Sequence, residues 1–190
     1  MAASTLPFVE IAYASSDEER REVRDFLAKH IDDIAETAVP APSMDYAFKP
    51  LVPLIRGEDG QIVAAALTCR ALLAGSAVIT GRAEQMFGTA LDRHSELDLL
   101  AVAEGARGDG LGTRLVHDLE SKLAAQGVRV WFGNVTAGND VERLRAFYSR
   151  LGFTVLADGQ PLPPLLGRQW APPLTEEPVF VFYKKLARQS

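Results

Sequence analysis

One cysteine in 190 residues, Cys69, excludes a disulfide within the chain and any zinc site built from several thiolates. It lies in the apolar run 62–69, where a buried inert thiol is expected rather than a nucleophile. Basic residues are outnumbered, 20 Lys and Arg against 25 Asp and Glu, for a formal net charge of −5. No basic stripe or Lys/Arg-rich tail stands out, which argues against nucleic acid as the main partner. A mildly acidic surface suits a cationic acceptor, and it equally suits plain solubility. No apolar stretch approaches the roughly 20 residues of a membrane span. The first residues show no basic segment followed by an apolar one, as a signal peptide requires. The expectation is a cytoplasmic protein with no membrane partner. The three histidines, His30, His94 and His117, show no metal-ligand spacing, so no metal is expected.

What remains is an ordinary globular chain, 47% apolar and 24% charged, long enough for one domain with a real core. Residues 8–13 alternate weakly, as a first strand would. Ser15, Ser16 and three acids then mark a helix start, and Val23, Phe26, Leu27, Ile31 and Ile34 carry helical spacing to about residue 38, before Pro40 and Pro42. Strands at 51–56 and 61–70 flank the turn Gly57-Glu58-Asp59-Gly60. An irregular insert follows at 72–95. Strand 96–103, helix 111–126, strand 128–135, helix 140–151 closed by Gly152, and strand 153–156 come next. Residues 158–178 hold six prolines and no regular period, which predicts an ordered loop or lid before a last strand at 179–185. Alternating strands and helices place the whole span 1–190 in one α/β domain, without internal repeats.

The most informative stretch is Arg107-Gly108-Asp109-Gly110-Leu111-Gly112-Thr113, set between a strand and a helix. A helix start presents unpaired N–H groups and the positive end of the helix dipole, so it suits a phosphate. The glycines permit φ > 0 and remove Cβ atoms that would hold an anion at a distance. The spacing rejects a P-loop, which needs four residues between its glycines and then a lysine. It fits a dinucleotide fingerprint poorly, because Thr113 stands where the third glycine belongs. A coenzyme A site needs one pyrophosphate cradle and a strand edge for amides, and fits best.

These residues, with Leu99-Leu100-Ala101-Val102 before them, resemble the Arg/Gln-x-x-Gly-x-Gly/Ala motif of the GNAT superfamily of N-acetyltransferases, matched by Arg107, Gly110 and Gly112. Residues 144–153, Leu-Arg-Ala-Phe-Tyr-Ser-Arg-Leu-Gly-Phe, resemble that family's FYxxLGF segment. The resemblance spans 96–156. It implies a single GNAT-like mixed central sheet flanked by helices and splayed between its two central parallel strands, with acetyl-CoA as co-substrate in the gap. It further implies that the backbone of Leu100, Ala101 and Val102 meets the pantetheine, and that Arg107, Gly108, Asp109, Gly110, Leu111, Gly112 and Thr113 form the pyrophosphate cradle. The implied chemistry is direct attack by an amine of a small-molecule or peptide acceptor, without an acyl-enzyme.

The matching tyrosine, Tyr148, would protonate the departing thiolate, where periodicity alone suggests a packing residue. The family's cofactor-contacting asparagine falls seven positions before the tyrosine; here that position is Val141. Asn139 lies two positions earlier and either contacts CoA or, like Asp140, caps the helix. Family members often draw their base from a central strand, where Asn134 cannot serve. Glu96 and Asp98 share a face of the motif strand and are the candidate bases. Trp131 and Phe132 are expected in the core, and Trp170 either lines an acceptor pocket or anchors its loop. The alternative from another class is a CoA-binding regulatory or sensor domain that has lost catalysis. A homodimer is left open.

Overall fold

The computed structural model describes residues 10–71, 91–135, 140–157, 160, 162–165, 168–170 and 179–187. Strand β1 (Ala12–Tyr13) leads into helix α1 (Asp17–His30). Ser16 caps α1 by accepting from the Glu19 N–H at 3.2 Å, and the Glu19 carboxylate accepts in return from the Ser16 N–H at 3.0 Å. The helix ends eight residues before the expected residue 38. Ile31 is its C-cap, and Asp33 takes a left-handed φ of 58°. Ile31 and Ile34 still pack against the same apolar cluster as Val23 and Leu27, so the hydrophobic spacing is satisfied by a turn rather than by helix. A 3₁₀ turn (Pro42–Met44) and a one-turn helix α2 (Asp45–Phe48) follow.

Strands β2 (Pro53–Arg56), β3 (Ile62–Arg70) and β4 (His94–Val102) form an antiparallel set. Helix α3 (Leu111–Ala125) connects β4 to β5 (Val130–Val135), which runs parallel to β4. Helix α4 (Val141–Arg150) and strand β6 (Thr154–Val155) come next, then the pair β7 (Leu162–Leu165) and β8 (Arg168–Trp170), then β9 (Phe180–Lys185). Among the described residues the main sheet has seven strands in the order β1-β2-β3-β4-β5-β9-β6. It is a mixed α/β sheet flanked by helices, as expected.

Within the expected insert at 72–95, residues 72–90 lie outside the described residues, and His94 and Ser95 already belong to β4. The proline-rich segment 158–178 is not wholly irregular, because β7 and β8 pair as an antiparallel hairpin. Proline is tolerated there because, among the described residues, each strand pairs on one side only, leaving an edge with no ladder bond to lose. Leu162 anchors the hairpin against Phe132, Leu156 and Val181.

Three apolar clusters sandwich the sheet. Leu115, Leu119, Trp131, Phe153 and Phe182 pack on the α3–α4 face. Val23, Leu27, Leu54 and Leu67 pack under α1 on the other face, and Phe132 and Val181 continue that face under the hairpin. Trp131 and Phe132 are fully buried. The Trp131 indole N–H donates to Thr68 Oγ1 at 3.0 Å, while Ser95 Oγ donates to the Cys69 carbonyl at 2.9 Å. These bonds tie β3, β4 and β5 together below the point where the sheet opens.

Candidate active site

Two features of β4 build the site. The first is where its pairing with β5 stops. The parallel rungs run from His94↔Val130 to Leu97↔Gly133 and no further, although β4 continues to Val102. Beyond Leu97 the β5 side of β4 therefore carries backbone groups with no strand partner among the described residues, while its other side stays paired to β3 as far as Ala64↔Val102. Gly133 sits on the last rung, and a Cβ there would lie 2.5 Å from Phe182 Cζ and 3.0 Å from the Leu97 carbonyl. Only glycine admits both neighbours at that distance.

The second feature is a bulge. Leu67 pairs with Leu99 and Thr68 with Leu97, leaving Asp98 as the extra residue. Strict alternation would put Leu97, Leu99 and Ala101 on one face. Instead Leu97, Leu100 and Val102 pack toward α3, whereas Leu99 and Ala101 pack toward α1. The bulge lets β4 serve two cavities with consecutive stretches of its length.

The first cavity, about 370 Å³, lies at the end of β4 and the start of α3. Leu100, Ala101, Val102, Arg107, Gly108, Gly110, Leu111, Gly112 and Thr113 line it. Asp109 belongs to the same turn and is not among its lining residues. Gly108 and Gly110 have φ of 98° and 75°, in the left-handed region, and Gly110 is the N-cap of α3. With no capping side chain at Gly110, the first amides of α3 are open to an anion. The Arg107 Nε donates to the Val102 carbonyl at 3.2 Å, which fastens the turn to its strand. Gly112 faces the Phe147 ring, with 3.4 Å from a would-be Cβ to Cζ, so α3 and α4 meet closely there.

Three further residues of this cavity were not anticipated: the cations Arg143 and Arg150 from α4, and His30 from the end of α1. Arg143, Phe147 and Arg150 are spaced i, i+4, i+7, a signal for one helix face that the sequence did carry. His30 is held below its ordinary pKa first by burial, then by the Lys29 and Arg107 charges.

The second cavity, about 670 Å³, opens between α1, the 36–48 segment and β3–β4. Glu96 and Asp98 both line it, with Leu67 and Cys69 beside them. Asp98 is exposed at the cavity surface and Glu96 is half-buried, and the protein packed around the cavity disfavours the charged form of each. Burial raises both groups above the ordinary carboxylate range, and for Glu96 the neighbouring Asp98 charge raises it further. Asn134 donates to Glu96 Oε1 at 3.4 Å, so this side chain orients an acid where it could not be one. Cys69 is buried, and burial followed by the Asp98 charge pushes its thiol well above the ordinary range, which removes it as a nucleophile. Arg20, also buried, makes a two-pronged ion pair with Asp45 and donates to the Pro40 carbonyl at 2.9 Å, fixing the cavity wall.

Tyr148 lies on the opposite face of the sheet. Its ring stacks on Phe182 at 3.7 Å between centroids and meets Phe147 and Phe153 edge-on. Phe182 in turn lies across Gly133. Tyr148 is thus stationed over the last β4–β5 rung, and burial raises its phenol above the ordinary value. Among the described residues, Phe147 lines the smaller cavity and Tyr148 lines neither. Asn139 lies outside the described residues. Asp140 is the N-cap of α4, accepting from the Arg143 N–H at 3.2 Å. Trp170 pairs with Leu162 through its backbone, and its side chain lies outside the described residues.

Comparison with known proteins agrees with this architecture. The family profile described as an acetyltransferase (GNAT) domain matches residues 59–161, more than half of the chain. The chain belongs to the GNAT acetyltransferase family. Among solved structures, it is similar to a GNAT-family acetyltransferase from Staphylococcus aureus Mu50, with TM-score 0.64 and 15% identity over 95% of this chain and 100% of that one. It is also similar to the ribosomal-protein-S18-alanine N-acetyltransferase of Escherichia coli, with TM-score 0.58 and 18% identity over 96% and 97%. A Bacillus subtilis acetyltransferase solved with CoA superposes with TM-score 0.56 and 15% identity, over 95% and 100%. No curated sequence relative matches the chain at a significant level. No described helix is long and apolar enough to cross a membrane.

Proposed function

We propose that the chain is an acetyl-CoA-dependent N-acetyltransferase that moves an acetyl group to an amine by direct attack. The observation that carries this reading is the division of β4. Its Glu96–Asp98 stretch delivers two carboxyls into one cavity, and its Leu100–Val102 stretch, unpaired on the β5 side, lines the other. The cradle fits the co-substrate. Left-handed Gly108 and Gly110, the open amides of α3 and the cations Arg107, Arg143 and Arg150 suit a pyrophosphate with a further phosphate. The Bacillus subtilis relative solved with CoA supports that ligand. Acetyl-CoA supplies an activated acetyl thioester.

An aliphatic amine is mostly protonated near neutrality and cannot attack until it loses a proton. The Glu96–Asp98 pair takes that proton, its raised affinity for protons placing it closer to working pH than an ordinary carboxylate. The amine nitrogen then bonds the acetyl carbon as the carbon–sulfur bond breaks, and the surplus proton left on nitrogen passes to solvent, which restores the proton that the sulfur takes up. Tyr148, kept protonated by burial on the opposite face of the same rung, supplies the proton to the departing sulfur. Holding donor and acceptor on either side of one gap makes the encounter unimolecular. The test is thiol release from acetyl-CoA across a panel of amines, with the acetylated product identified by mass. A second reading, a CoA-binding sensor, draws on the absence of Tyr148 from both cavity linings. Binding of acetyl-CoA with no turnover on any amine would favour it.

A further inference from the structure

The charges of the larger cavity are unevenly placed, with two carboxyls on β4 and three guanidinium groups on α1. Its β4 floor carries Glu96 and Asp98, and no cation offsets either one; Glu96 feels burial and Asp98 alone. Helix α1 brings Arg20, Arg21 and Arg24 to the lining together with one acid, Asp17; Glu36 lines it from the adjoining segment, and Arg70 of β3 lines it while paired with Asp92. Arg20 is committed to Asp45, which stands outside the lining. Among the described residues Arg24 is paired only with its exposed neighbour Asp25, an ion pair of small net worth that a better carboxylate can displace. Arg21 spends its Nε on the Asp17 carbonyl at 3.2 Å and, among the described residues, makes no ion pair with an acid. Between these poles the wall is apolar, with Val39, Met44, Phe48 and Leu67.

From this arrangement, and resting on the transferase reading above, we infer the acceptor class: a small aliphatic primary amine that also carries a carboxylate. The ammonium end meets the Glu96–Asp98 floor, which has no cation of its own. The anionic end meets Arg21 and Arg24, whose forked guanidinium groups match a carboxylate bidentately. The aliphatic body lies on the apolar wall. A cavity of about 670 Å³ is of the size that holds such a molecule. A neutral-bodied amine would satisfy the floor and leave the arginines unused, and a simple carboxylate would do the reverse.

The experiment measures kcat/KM for thiol release with matched pairs: 6-aminohexanoate against hexylamine, 4-aminobutanoate against butylamine, and leucine against isoamylamine. In at least one pair the carboxylated member should lead by tenfold or more. In the double variant Arg21→Gln/Arg24→Gln that lead should collapse toward unity through a higher KM, while acetyl-CoA affinity measured by calorimetry stays the same. If the alkylamines are acetylated and the carboxylated members never lead, the acceptor class is wrong and the transferase reading stands. If the lead survives in the double variant, the arginines are not its source and the inference falls. If neither member of any pair is acetylated although acetyl-CoA binds, both readings fall together.

Discussion

The two cavities differ in how they are assembled. The smaller one is built largely from one continuous stretch, residues 100–113, with a single face of α4 laid over it. The larger one draws on α1, the 36–48 segment, β3 and β4, which are neighbours only once the chain has folded. The first is a local device for a constant ligand, with backbone amides and glycines as its working parts. The second is built of side chains from distant segments, so substitutions there can alter it without disturbing the first. On the proposed reading, fold points to the donor, and the side chains of α1 and β4 point to the acceptor.

The sharpest way to separate the two is to remove the floor of the acceptor cavity alone. Glu96→Gln/Asp98→Asn should lower kcat/KM by about 10²–10⁴, the usual range for loss of a general base. In the parent, activity should rise with pH through the raised carboxylate range and then level off; in the variant that limb should vanish. A pH–rate profile in saturating acetyl-CoA checks it. Tyr148→Phe acts from the other face and should cost roughly 10²-fold in kcat, as for loss of a general acid. Because the Phe182 stack is retained, thermal denaturation should be little changed. Unchanged turnover would leave Tyr148 as a packing residue.

Damage to the donor cavity should show the opposite pattern. Gly110→Val forces a branched residue to φ of 75°, a conformation costing about 1–2 kcal/mol per non-glycine residue, and puts a side chain at the mouth of the cradle. Acetyl-CoA affinity by calorimetry should fall tenfold or more. Arg143→Gln or Arg150→Gln should each weaken CoA several-fold and flatten the salt dependence of its binding.

The smallest effect concerns stability. Glu96 and Asp98 bind protons more tightly in the fold than in the unfolded chain. Between the ordinary carboxylate range near pH ~4 and their raised values, the folded state holds more protons, so stability falls as pH rises through that window. Glu96→Gln should therefore melt higher than the parent at pH 8, with the gap closing near pH 4. A melting series across pH checks the sign.

The unequal assembly also explains what the sequence disclosed. Residues 107–113 could be read as a cradle because spacing, glycine and helix start are all local properties. Arg143 and Arg150 were open to the same reading, as the i and i+7 positions of one helix face. The bulge at Asp98 could not be read from Glu96-Leu97-Asp98-Leu99-Leu100, which alternates acceptably in either register. It exists because β3 pairs on both sides of it. Strict alternation gave the right common face for Glu96 and Asp98, yet it would have carried Leu100 to that face as well, and the bulge turns Leu100 away. Helix α1 ended early because Ile31 and Ile34 met the core from a turn, an outcome that hydrophobic spacing does not distinguish from helix. The hairpin at Leu162–Trp170 was hidden by prolines that occupy strand edges.

The central claim is that β4 divides donor from acceptor at Asp98. It is tested most directly by measuring acetyl-CoA affinity and amine turnover side by side in Glu96→Gln/Asp98→Asn. The account predicts affinity within about twofold of the parent and turnover at least 10²-fold lower, as loss of a general base implies. Turnover retained at the parent's level, or acetyl-CoA binding lost along with it, would contradict the division.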